Sequence, residues 1–156
     1  MHTIDERRAA HDGTGAAAHH GGAAVLSEMR SRLAAASAAP LLADFAERLF
    51  AGVPAEDLGV LGGGDLAGLA ETAFAAFVER PAGHHRIRVF DRDFGSGDTA
   101  RAVTVVEVDN DDMPFLFVSV LGQATDLGLE ILLAAHPILT VERDGAGRAT
   151  ALATAD

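Results

Sequence analysis

The chain has 156 residues, 23 acids against 12 basic residues, a formal net charge of −11, and no Cys, Trp or Tyr. Every basic residue is Arg, so Lys is absent as well. That inventory excludes disulfides, thiolate zinc sites, Cys nucleophiles, Schiff-base lysines and P-loop lysines, and the acidity argues against nucleic acid or an anionic membrane as a partner.

Residues 1–22 read as a disordered tail, with Gly13, Gly15, Gly21 and Gly22 interleaved with Ala and no apolar period. His19-His20 in that tail lack the third ligand and fixed geometry of a metal site. A helical segment is expected over 23–83. Its first helix runs from Ala23 to Ala36 on Leu26, Met29, Leu33 and Ala36. Pro40 opens a second, with Leu42, Phe45, Ala46 and Leu49 on one face, and Gly52-Val53-Pro54 ends it. Gly59 to Gly64 is a glycine-rich connection. A third helix, Asp65 to Glu79, carries an amphipathic stripe from Leu66 to Val78, with Asp65 placed as its N-cap.

From 84 to 156 the pattern changes. Arg86 to Phe90 alternates as an edge strand does, and Asp91 to Ala102 reads as a loop. Val103 to Val108 is apolar on both faces, as in a central strand. After the acidic break at Asp109–Asp112, Pro114 to Leu127 reads as a helix. Leu129 to Ala135 reads as a buried strand, Ile138 to Arg143 as its continuation past His136-Pro137. Asp144-Gly145-Ala146-Gly147 is a hairpin turn into a return strand over Ala149–Ala153. Helices followed by β-α-β-β make the expected fold class α+β, with an antiparallel sheet packed against helices. The 84–156 unit and residues 40–83 fit one domain or two.

Three motifs invite chemistry. Gly62-Gly63-Gly64-Asp65-Leu66-Ala67 satisfies G-x-G-x-x-A, but no strand leads into it and Asp65 would oppose a phosphate. Asp109-Asn110-Asp111-Asp112 clusters acids without the alternate oxygens and distal Glu of a calcium loop. A strand-to-helix turn explains it better, with Asp111 or Asp112 capping the helix and Pro114 entering its first turn. His136 has no nucleophile or carboxylate assigned to it by the sequence and reads as a partly buried histidine at a bend. His84-His85 read as a solvated turn. No catalytic, cofactor-binding or metal residues are therefore assigned to this chain. The helix after Pro114 holds Leu116, Phe117, Val120, Leu121, Ala124 and Leu127 in an arc roughly 140° wide. Phe115 and Val118 lie off that arc, on either side of Gly122. They form a second apolar face that one sheet cannot also bury, so they are expected to meet a second copy, absent sequence, or the N-terminal helices.

Strand, acidic turn, proline, helix and a Gly-Leu-Glu-Ile strand resemble the opening of an ACT-type domain. Val105 to Leu116, with Ser119 to Gly122, Gly128-Leu129-Glu130-Ile131 and His136-Pro137-Ile138-Leu139, resembles the N-terminal region of the large bacterial NAD-dependent glutamate dehydrogenases. Phe45 to Phe50, Pro54 to Leu58 and Ile87 to Phe90 fit the same family, so the resemblance spans about Leu41 to Leu152. It implies an ACT-like region remote from catalysis, used for assembly or regulation, in a parent that converts L-glutamate to 2-oxoglutarate and ammonia with NAD. A stand-alone ACT-like amino-acid sensor is the alternative. The implied partners are the rest of the parent, a second copy, and a small amino acid as effector. The candidate contact or effector residues are Asn110, Asp111, Asp112, Met113, Pro114, Phe115 and Val118. Phe117-Val118 stand where the family usually has a small residue and Asp, and Phe115 where amino-acid-binding ACT domains tend to have Gly. Both departures add bulk. The family relies on a catalytic lysine, so a lysine-free piece comes from outside its active site. With no secretory signal in the opening residues and no apolar run of about 20 residues, the expected location is cytoplasmic.

Overall fold

A computed structural model describes residues 21–36, 39–97 and 100–153. The tail expected over 1–22 lies almost wholly outside the described residues. Its last residue, Gly22, opens a helix instead.

Five helices and four strands follow in the order α1 (Gly22–Ala35), α2 (Pro40–Phe50), α3 (Ala55–Leu58), α4 (Gly63–Glu79), β1 (Arg86–Phe94), β2 (Arg101–Asp109), α5 (Leu116–Asp126), β3 (Val141–Arg143) and β4 (Ala149–Leu152). The class is α+β with antiparallel pairing, as expected of an ACT-like domain. α4 is the spine. Its buried Leu66, Ala67, Leu69 and Ala70 meet Val25, Met29 and Leu33 of α1 and Ala46 and Phe50 of α2. The helices come close because glycine stands at the contact: a Cβ on Gly63 would lie 2.5 Å from Glu28 Cβ and 2.8 Å from the Met29 nitrogen. Near the other end of α4, Phe77 and Val78 pack with Phe45 of α2 and Ala149 of β4. The Phe45 and Phe77 rings are 4.8 Å apart. Asp65 is not the N-cap. That place is taken by Gly62, and Asp65 sits three residues on, its Oδ2 accepting from the Gly62 and Gly95 amides at 3.2 and 3.1 Å.

β1 and β2 pair antiparallel from Arg86↔Asp109 to Phe94↔Arg101. Each strand is longer than its sequence pattern suggested, because Asp91 to Phe94 and Arg101 to Ala102 continue the ladder instead of looping. β2 is not a central strand. It is one half of a two-stranded ribbon, and its apolar outer residues, such as Val106, are exposed. Alternation in β1 holds, but with the arginines inward. Arg86 Nη1 donates to Ala76 O, Arg88 Nη2 to Thr72 O, and Arg92 Nη1 to Gly68 O, at 3.1, 2.8 and 2.9 Å. These acceptors descend α4 in steps of four residues, so the strand is laced to one face of the helix. Arg88 also pairs with Glu107 across the ladder. Ile87 and Val89 consequently face outward and are exposed.

The strand expected over Leu129–Ala135 does not form, and Ile138–Arg143 is reduced to Val141–Arg143. No described strand presents a ladder to residues 129–140, and an unpaired run gains nothing from extended propensity alone. Leu133 and Ala135 instead pack against the helical core. The β3–β4 hairpin forms as read, its turn held by Asp144 Oδ1, which accepts from the Ala146 and Arg148 amides at 2.9 Å each.

Candidate partner-contact site

The acidic turn between β2 and α5 divides its residues sharply. Asp109 and Asn110 are half-buried, whereas Asp112, Met113, Pro114 and Phe115 are exposed. Asp111 caps no helix. Its Oδ1 accepts from Arg80 Nη1 at 2.9 Å and its Oδ2 from the Gly83 amide at 2.8 Å. Both oxygens therefore tie the turn to the end of α4. The Arg80 hydrogen bond holds the Asp111 carboxyl below its ordinary value of 3.8, helped by Gly83. Arg80 itself is 8% exposed and also donates to His84 O. Sequence reasoning passed over it, since nothing local marks an arginine between Glu79 and Pro81 as the anchor of a turn 31 residues on.

Asp109 behaves oppositely. Burial raises its carboxyl above 3.8, and the nearby Arg80, Arg88, Arg86 and Arg143 only partly oppose this. Burial also pushes the Arg143 guanidinium down. Arg143 lies over the Phe77 ring, 5.8 Å from its centroid. The acids of 109–112 thus point to separate places, one inward and one onto Arg80. Among the described residues no three His, Cys, Asp or Glu side chains gather into a metal-binding group.

α5 starts two residues later than expected, and no side chain caps it. Its N-cap is Phe115, in the left-handed region at φ 67°, ψ −4°; no other described non-glycine residue has positive φ. For a bulky side chain that conformation costs roughly 1–2 kcal/mol, yet the ring is 80% exposed. The strain brings it no burial among the described residues. Val118 is 68% exposed. The main arc of α5 is only partly covered: Leu116, Phe117, Leu121 and Ala124 are half-buried, Val120 and Leu127 exposed, and no residue of the helix fully buried.

His136 is exposed rather than partly buried, and its ring stacks on Phe117 at 4.5 Å and 9°. Arg48 of α2, Phe117 and His136 border a shallow cavity of about 230 Å³. Two donors of the Arg48 guanidinium are already committed, to Asp44 Oδ1 and to the Ala153 carbonyl, each at 2.8 Å. His84 and His85 are exposed, as read.

The glycine fingerprint does not fit NAD. The amides that would hold a pyrophosphate face carboxylates: Gly62 donates to Asp65, and Gly63 donates to Glu28 Oε2 at 3.3 Å. A dinucleotide phosphate there would meet two acids. α3, not a strand, leads into the motif. No helix among the described residues is long and apolar enough to cross a membrane.

The described residues thus form a helix-spined α+β unit, with a turn carboxylate spent on structure and an apolar helix face left open. Comparison with known families is specific. The family model described as glutamate dehydrogenase, ACT1 domain, matches residues 45–156, and the chain belongs to that family. Neither the curated proteins nor the solved structures gave a match.

Proposed function

We infer that this chain is the non-catalytic N-terminal part of an NAD-dependent glutamate dehydrogenase, serving assembly and regulation. The parent enzyme converts L-glutamate to 2-oxoglutarate and ammonia with NAD. The chain works in the cytoplasm within a homo-oligomer, and its partners are the remainder of the parent enzyme and further copies of itself. The family match over residues 45–156 supports the parent enzyme, and the observation that supports the contact role is the turn at Asp111. Both carboxylate oxygens there are bound to Arg80 and Gly83, and what remains exposed beside them is Asp112, Met113, Pro114, Phe115 and Val118. Such a largely apolar surface suits contact.

The test is removal of this segment from the parent polypeptide. The expected result is altered assembly or effector response, with glutamate turnover per assembled active site retained. A shortened enzyme that assembles normally but no longer binds NAD or glutamate would overturn the reading. A thermal-shift screen of the isolated chain against the common amino acids addresses the effector. A saturable shift identifies a sensor, and glutamate, aspartate and the branched-chain amino acids belong in the screen.

A further inference from the structure

Two features of α5 weaken the isolated chain. Phe115 holds left-handed backbone to present an exposed ring. Gly122 sits in mid-helix, where glycine is a poor choice. It has no packing reason to be glycine, since a Cβ added there meets nothing within 4 Å. Val118 lies between them on the same exposed face, one turn from each. A large side chain and an absent one therefore flank a small apolar one, and nothing among the described residues fills or covers them.

The charge pattern says what the face can meet. Residues 113–125 contain no charged side chain, although 22% of the chain is charged and its net charge is −11. A basic partner would find no acids here, and a phosphate-bearing partner no cations. Two copies of a chain with net charge −11 repel one another on approach, and a face without charged side chains adds least to that cost.

We propose that the Phe115–Val118–Gly122 face is a two-fold interface between copies of this chain. In a symmetric pair, if one residue meets a second, the second meets the first. Antiparallel α5 helices crossing near Val118 and Ser119 bring the Phe115 ring of one protomer over Gly122 of the partner subunit. The converse contact forms about 10 Å further along, seven residues at 1.5 Å each. Ring and notch then match twice, and the left-handed turn that aims Phe115 outward gains a purpose. Asp112 and Asp126 flank the face at its two ends, so like charges meet at the rim. Added salt strengthens the pair, the reverse of an ion-paired interface.

This deepens the assembly role proposed above, and the two fail separately. A strictly monomeric chain overturns the interface, while the deletion experiment on the parent judges the wider reading. The test is sedimentation equilibrium of the full chain, in wild-type form and as Gly122→Leu and Phe115→Gly. Wild type is expected to be a reversible dimer, tightened by salt. Each variant is expected to weaken it at least tenfold, with unchanged circular dichroism and a melting temperature no lower than wild type at concentrations where both are monomeric. Both substitutions ease a local penalty, so misfolding does not account for lost association. A wild-type monomer at all concentrations, or variants that pair as tightly as wild type, would overturn the proposal.

Discussion

The same substitution, glycine to alanine, is expected to have opposite effects at two positions of this chain. At Gly63 the added methyl would stand 2.5 Å from Glu28 Cβ, 2.8 Å from Glu28 Cγ and 2.8 Å from the Met29 nitrogen. Backbone cannot swing aside, so α1 and α4 must separate, and the fully buried Met29 and Leu66 lose contact. Overpacking of this kind costs about 1–3 kcal/mol. Gly63 is the first residue of its helix, where alanine gains little. At Gly122 the methyl meets open space, and alanine in a helix interior gains up to about 1 kcal/mol. Melting temperature moves by about 2–4 °C per kcal/mol for a chain of this size. Gly63→Ala should therefore melt roughly 4–8 °C lower, for a cost near 2 kcal/mol, and Gly122→Ala about 2–4 °C higher. Urea and thermal unfolding check this, at concentrations low enough to keep the chain monomeric. Shifts of the same sign would refute the packing argument.

Gly68→Ala probes the arginine lacing. Its methyl would lie 2.0 Å from Arg92 Nη2, displacing a guanidinium that donates to Gly68 O at 2.9 Å and to Thr72 Oγ1 at 3.1 Å. Charge-assisted bonds of about 1.5–3 kcal/mol are set against about 1 kcal/mol of helix propensity, so a net loss near 1 kcal/mol is expected. In an Arg92→Met background the same change should turn stabilising. Equal effects in both backgrounds would contradict the lacing. The two shifted carboxylates predict opposite pH responses. Asp109 has a raised folded pKa, so its contribution is fully present below about pH 3.8 and is lost as pH rises through the folded value. Asp109→Asn should be more stable than wild type at pH 7, and the difference should vanish in acid. Asp111 has a lowered folded pKa, so its contribution is present at neutral pH and is lost on acidification through that value. Asp111→Asn should be the less stable variant at pH 7. Chemical denaturation across pH distinguishes the two, and matching pH profiles would count against the assignment.

Helices were the most legible part of the sequence because the apolar period of 3.6 residues is carried by the helix itself. α2 and α4 follow their stripes to within a residue or two. α3 escaped notice because four residues after Pro54 are too short to show a period. β1 showed its alternation but not its sense. Arginine stems let guanidinium groups reach helix carbonyls while the outward Ile87 and Val89 stay wet. The strand over Leu129–Ala135 was misread because a strand exists through its partner, which no pattern within those seven residues can supply. At the candidate site the exposed Phe115 and Val118 were legible as a second helix face. The role of Asp111 was not, since Arg80 and Gly83 reach it from another element. The left-handed backbone of Phe115 had no signal in the residue itself, only in the resemblance to amino-acid-binding ACT domains, which tend to have at this position the glycine that marks such a place.

The most direct test of the central claim is turnover by the purified, folded chain. It should be given NAD and L-glutamate, and NADH formation compared with a heat-unfolded control. The account predicts no glutamate-dependent NADH above that control, because the chain has no lysine and its one glycine fingerprint is closed by Glu28 and Asp65. Saturable, glutamate-dependent NADH formation that follows the pure chain would contradict it.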